Sequence, residues 1–233
     1  MVHESSESSP VPGDIFCDLD ARQRGEIERS ISYSTYPAGH IFHSPGERSS
    51  QIFLLRAGRV LLYKLSSEGR MLRLSMLEPV VLFGEMAMID QHEHNPFAEA
   101  MTDCVVGSVS KSTLSAIIQT YPQVTIRLLE LIGHRLHEMQ SRLVDIAFKS
   151  VPERLASVLL SLGGVPSDQV TAPLSPVIIR YTHQQLAEMV GSYRATITRI
   201  IGEFQEDGLI RVEGDVIYLT DLKQLQHLVN KRG

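Results

Sequence analysis

The sequence predicts an α+β chain in three parts: a β-rich N-terminal half, one long amphipathic helix, and a winged helix-turn-helix at the C-terminal end. Three observations predict it. Between Tyr36 and Val109, short apolar runs alternate with Gly39, Gly46, Gly58, Gly69, Gly84 and Gly107, the rhythm of an antiparallel barrel or sandwich. From Leu129 to Ile146 apolar residues recur at gaps of 3, 4, 3, 4 and 3, which is a heptad seam. From Tyr181 to Leu219 the order is periodic run, glycine, periodic run, then two apolar stretches around a turn, the outline of a winged helix-turn-helix.

Composition sets the outer bounds. The chain has 233 residues, 43% hydrophobic and 21% charged, as in a water-soluble globular protein of one large or two modest domains. No run of about 18 apolar residues occurs, so no membrane span is expected. Residues 1–12, MVHESSESSPVP, lack the basic start and apolar core of a signal peptide and are expected to be disordered. A cytoplasmic location follows as an expectation. Two cysteines, Cys17 and Cys104, are too few for a disulfide framework. The net charge is −5, and residues 150–233 carry 8 Lys+Arg against 9 Asp+Glu. A chain that relied on phosphate attraction would be strongly basic. Any nucleic-acid binding must therefore come from a local patch.

The elements follow in order. Gly13 to Ser30 reads as one or two short helices. Within the β-rich half, Gln51–Leu55, Val60–Tyr63 and Met71–Leu74 are strand-length apolar runs, and Cys104 falls in a strand as a small buried hydrophobe. Lys111 to Phe148 turns helical, with a break at Tyr121-Pro122. Leu129, Ile132, Leu136, Met139, Leu143 and Ile146 form the seam, expected to meet a second copy, while Leu128 and Leu131 face the chain's own barrel. Ser150 and Glu153 form a capping box with Pro152 in the first turn, ending one helix and starting another. Thr182 and Gln185 form a second box, and Gly191 supplies a turn. The helix beyond it puts Ile197, Ile200, Ile201 and Phe204 on one face and Arg194, Ala195, Thr198, Arg199 and Glu203 on the other. A helix so placed enters the major groove with its N-terminal side chains at base edges. Domain limits are set at 13–120, 121–149 and 150–233.

This order of parts resembles the cyclic-AMP receptor protein/fumarate-nitrate regulator superfamily over nearly the whole chain after about residue 13. The most specific stretch is Leu186 to Arg199, LAEMVGSYRATITR; the N-terminal half matches through Tyr36–Phe42 and Leu82–Ala87. The resemblance implies that the β-rich half is an antiparallel β-roll, a jelly roll of the cyclic nucleotide-binding type. It also implies a homodimeric transcription regulator on a near-palindromic site in double-stranded DNA, touching RNA polymerase if it activates. By position, Arg194 and Arg199 reach bases or nearby phosphates, while Thr182, Gln184 and Thr196 hold phosphates. Ala195 stands where the cyclic-AMP receptor reads a base with glutamate, so the preferred sequence differs. Glu213 and Asp215 make an acidic wing tip, which adds little affinity.

The same resemblance places the effector pocket at Phe83, Gly84, Glu85, Asn95, Pro96, Met139 and Gln140. Gly84 and Glu85 are kept, but the arginine and serine that hold a cyclic phosphate fall on Asn95-Pro96, and the base contacts fall on Met139-Gln140. Losing the arginine removes a charge-assisted bond that a buried phosphate needs. No other arginine occurs between Arg73 and Arg127, so dependence on cyclic AMP is not expected. Two other readings remain: a regulator whose diverged pocket takes a cyclic nucleotide or another effector, and a ligand-binding module acting on a protein partner. His92 and His94 read as a turn tip rather than metal ligands. Two cysteines cannot hold a four-cysteine cluster. No phosphate loop or nucleophile motif is present. No catalytic residue, metal or cofactor is expected.

Overall fold

The computed structural model describes residues 14–47, 51–85, 96–165 and 177–230. Asn95, Met86, Met88 and the His92–His94 tip lie outside them, as do residues 1–12 and most of the stretch before the helix-turn-helix. The chain divides into two compact units, one of residues 1–64 with 73–137 and the other of 65–72 with 138–233.

The roll consists of two four-stranded antiparallel sheets. One has the order β1 (Ser32–Tyr36), β8 (Cys104–Ser110), β3 (Gln51–Ala57), β6 (Val81–Phe83); the other runs β2 (Ile41–His43), β7 (Phe97–Ala100), β4 (Val60–Leu65), β5 (Met71–Leu77). The middle of strand β3, from Ile52 to Leu55, is apolar rather than alternating because both of its faces are buried there. Ile52 and Leu54 pack with Leu114, Val124 and Leu128, and Phe53 and Leu55 pack with Val60, Phe83 and Val106. Cys104 is buried in β8.

Helix α1 (Ala21–Glu28) starts at Asp20, whose carboxylate caps Gln23 N–H. Helix α2 (Lys111–Thr120) ends at Tyr121, and α3 (Gln123–Phe148) follows Pro122. Leu128 is buried and Leu131 partly buried against the roll core, as their positions off the seam predict. Arg127 donates to both carboxylate oxygens of Asp18, at 2.6 and 2.7 Å, fixing the N-terminal segment to α3. That hydrogen bonding holds the Asp18 carboxyl below the usual carboxylate range.

In the second unit, Glu153 Oε2 accepts from Ser150 N–H at 2.6 Å at the start of α4 (Val151–Leu162). Helices α5 (His183–Val190) and α6 (Arg194–Glu206) and the hairpin β10 (Ile210–Glu213), β11 (Val216–Leu219) lie where the periodicity places them. Two elements were not foreseen. Strand β9 (Val177–Ile179) adds a third antiparallel strand to β11, and α7 (Leu222–Asn230) is a final helix. Leu155, Leu159, Leu186, Ile197, Ile200 and Leu225 make up the center of this core.

Candidate functional site

The turn between α5 and α6 is closed by Gly191 at φ +71°, a left-handed conformation that disfavors residues with a Cβ. Its N–H donates to Ala187 C=O. Thr182 caps α5 by accepting from Gln185 N–H at 3.2 Å, and Gln185 Oε1 accepts in return from Thr182 N–H at 2.9 Å. These bonds, with the buried Ile197, Ile200, Ile201 and Phe204, fix which side of α6 faces water.

That side carries the residues marked by sequence. Arg194 opens α6 and is exposed, with no guanidinium partner among the described residues. Ala195, Thr198 and Arg199 are exposed beside it, and Thr196 is half-buried. Arg199 pairs with Glu203 one turn on. On α5, Thr182 and Gln184 are exposed, but Gln184 Nε2 already donates to Glu188 Oε1 at 3.0 Å. One residue of this group was missed: His183, whose Nδ1 lies 2.9 Å from Thr198 Oγ1. Only its place in the first turn of α5 could have marked it. At the wing, Arg211 pairs with Glu213 at 3.0 Å and stacks on Tyr218 at 4.8 Å. The hairpin's one cation is thus engaged within the wing.

Of the residues assigned to the effector pocket, Phe83 is fully buried within the roll core, 5.1 Å from the Phe53 ring and 5.3 Å from the Phe42 ring. The carboxylate of Glu85 has a cation beside it. Arg135, from α3, donates to Glu85 Oε2 at 2.7 Å and to Leu82 C=O at 2.6 Å, and its side chain is 17% exposed. Arg135 lies beyond the arginine-free stretch between Arg73 and Arg127, 50 residues from Glu85. Gly84 takes φ +76° at this bend, and a Cβ there would lie 3.1 Å from the Phe53 ring. Pro96 C=O accepts from His43 Nδ1, at 3.1 Å. Met139 and Gln140 are exposed on α3.

The seam residues are all exposed on the single chain, from 42% at Ile132 to 67% at Leu143. Ile126, Val144 and Phe148 extend the apolar surface beyond the seam. Cys17 is half-buried, and burial pushes its thiol upward in pKa, which disfavors the reactive thiolate. Among the described residues, no group of His, Cys, Asp or Glu could hold a metal, and no helix is long and apolar enough to cross a membrane.

Comparison with known proteins gives two family matches. The cyclic nucleotide-binding domain matches residues 33–121, and the Crp-like helix-turn-helix domain matches residues 153–228. The transcriptional regulator SdrP of Thermus thermophilus is 31% identical over 89% of this chain and 98% of its own. A CRP-like cAMP-activated global transcriptional regulator of Mycobacterium tuberculosis is 26% identical over 91% of this chain and 94% of its own. Among solved structures, a CRP/FNR-family transcriptional regulator, also of Thermus thermophilus, has a TM-score of 0.68 at 30% identity, covering 87% of this chain and 100% of that one. The c-di-GMP responsive global regulator CLP of Xanthomonas campestris shares the fold, with a TM-score of 0.74 at 22% identity over 87% of this chain and 100% of its own.

Proposed function

The chain belongs to the CRP/FNR family of transcription regulators, and from that premise we propose that it binds a near-palindromic DNA site as a homodimer without requiring cyclic AMP. It is a DNA-binding regulator and not an enzyme. The observation that carries the reading is the exposed face of α6, where Arg194, Ala195, Thr198 and Arg199 stand together at the groove-entering end of a helix-turn-helix. Arginine suits base reading because its fork donates two bonds to guanine. The exposed seam on α3 supports the dimer, which would place two such helices on one operator. We assign 13–120 to a sensor domain, 121–149 to dimerization and 150–233 to DNA binding, in the cytoplasm, with RNA polymerase as partner where the protein activates.

Independence from cyclic AMP rests on the ion pair of Arg135 with Glu85. A nucleotide that used Glu85 would have to break that pair, exposing a part-buried guanidinium to the loss of its counter-charge. A ligand shifts a conformational equilibrium only by its differential affinity for the two states. A second reading, a nucleotide-responsive regulator with Arg135 as the phosphate cation, is favored by the cAMP-activated relative.

Calorimetry with cyclic AMP, paired with operator binding in its presence and absence, separates the two. The operator would come from selection on random oligonucleotides with ligand-free protein. The expected result is selection of one palindromic site and no change on adding nucleotide. Micromolar binding of cyclic AMP with a gain of about tenfold or more in DNA affinity, about 1.4 kcal/mol of coupling, would establish the second reading.

A further inference from the structure

The recognition helix α6 starts without the device that starts α5. Its N-cap is Tyr193, which makes no side-chain capping bond, at a position where Ser, Thr, Asp or Asn is preferred. The ring meets a cation instead. The Arg70 guanidinium lies over it, 4.9 Å from the ring centroid, within the reach of a cation–π contact. Arg70 belongs to the hairpin between β4 and β5, and that hairpin, residues 65–72, falls in the same compact unit as the helix-turn-helix. A second hairpin residue adjoins the turn: Leu72 Cδ1 lies 3.5 Å from where a Cβ on Gly191 would stand. The hairpin tip is itself closed by hydrogen bonds. Ser66 N–H donates to Arg70 C=O at 2.9 Å, Gly69 N–H to Ser66 C=O at 2.9 Å, and Arg70 N–H to Ser66 Oγ at 3.1 Å. From α4, Arg154 Nε donates to Val190 C=O at 3.2 Å, so the end of α5 is held as well. These contacts leave the DNA-reading face open. Arg194, Ala195, Thr198 and Arg199 are exposed, and Tyr193 keeps 58% of its own surface.

We propose that the hairpin of residues 65–72 is a strap on the recognition helix, with Arg70 as its positioning residue: by stacking on Tyr193 it holds the start of α6, and Arg194 next to it, in the orientation that reads DNA, without itself touching DNA. A side-chain cap fixes only the first turn of its own helix. An arginine reaching in from the hairpin ties that turn to a second element. The side chains at the N-terminus of a recognition helix are the ones that meet base edges, so the placement of this turn governs the fit. A protein whose binding-competent arrangement is only partly populated binds with an affinity reduced by that fraction, and the strap raises the fraction. This inference rests on the DNA-reading role proposed above, since it needs α6 in the groove.

The experiment is a double-mutant cycle read by fluorescence anisotropy, with the full-length protein on the selected operator at several salt concentrations. Arg70→Ala should weaken operator binding by about two- to fivefold, the equivalent of one exposed cation–π contact. Arg70→Lys, which keeps a cation for the ring, should restore part of that loss. Arg70→Ala should cost nothing further in a Tyr193→Ala background, and should cost its full factor in a Tyr193→Phe background, where the ring remains. Should Tyr193→Ala not fold, Tyr193→Leu removes the ring for the same cycle. The slope of log affinity against log salt should not change with Arg70→Ala, because no phosphate contact is lost. A loss that persists undiminished without the Tyr193 ring, with a slope smaller by about one, makes Arg70 a phosphate contact and overturns the proposal. Tighter operator binding by Arg70→Ala overturns it in the other direction, since the strap would then hold α6 away from DNA. Unchanged affinity overturns it too. A wild type that selects no sequence overturns the DNA-reading role itself, whatever Arg70 does, and this inference with it.

Discussion

Two arginines on one helix face look equivalent in the sequence, but their surroundings separate them. The Arg194 guanidinium has no partner among the described residues, whereas that of Arg199 is held by Glu203. An exposed i,i+4 ion pair contributes about 0.3–0.5 kcal/mol, and Arg199 gives this up when it reaches for a base. Arg194→Ala should therefore cost about 1–3 kcal/mol on the selected operator and much less on random DNA. Arg199→Ala should cost somewhat less, and Glu203→Gln should recover the difference by releasing Arg199. Fluorescence anisotropy on both DNAs checks this. An arginine whose removal weakens both equally is a phosphate contact. Arginines at a helix start are legible in a sequence because position and chemistry coincide there. The pairs His183 with Thr198 and Arg135 with Glu85 are not, because each joins two elements, 15 and 50 residues apart. No local periodicity encodes which side chains meet across such distances.

At the scale of elements, patterns with a period were legible and elements without one were not. The heptad gaps gave α3 and its seam. Both capping boxes fall at helix starts, beginning α4 and α5. Strand β9 escaped because three residues are too few to alternate and the strand exists only by pairing with β11. Phe83 precedes the Gly84 bend, and β6 is buried through all three of its residues. The seam makes its own prediction. A continuous apolar stripe this exposed needs a partner, and a second copy supplies one with the same heptad spacing. Replacing Leu136 and Leu143 by glutamate should leave a folded monomer that has lost tight operator binding, because two half-sites no longer bind in one event. Sedimentation at micromolar concentration reads the result. A wild type that already sediments as a monomer there refutes the pairing.

The whole molecule carries its charge against its function. With a net of −5, and 8 Lys+Arg against 9 Asp+Glu in residues 150–233, little long-range attraction draws it to DNA. Its wing pairs Arg211 with Glu213 and cannot add a phosphate contact without breaking that pair. Random DNA should bind at about 10⁻⁴ M at physiological salt, the weak end of the ordinary range. Anisotropy between about 50 and 200 mM salt measures it. Micromolar binding to random DNA at the upper salt would show a basic surface that the composition does not reveal.

The ion pair of Arg135 with Glu85 has a consequence in time. A regulator whose pocket holds a diffusible ligand answers as fast as that ligand is made and removed. A side chain is present at a fixed local concentration for as long as the chain is folded. Under the proposed reading, the active fraction is set when the protein is synthesized and falls only as the protein is degraded or diluted by growth. Such a regulator follows the history of its own gene over generations rather than the metabolic state of the moment.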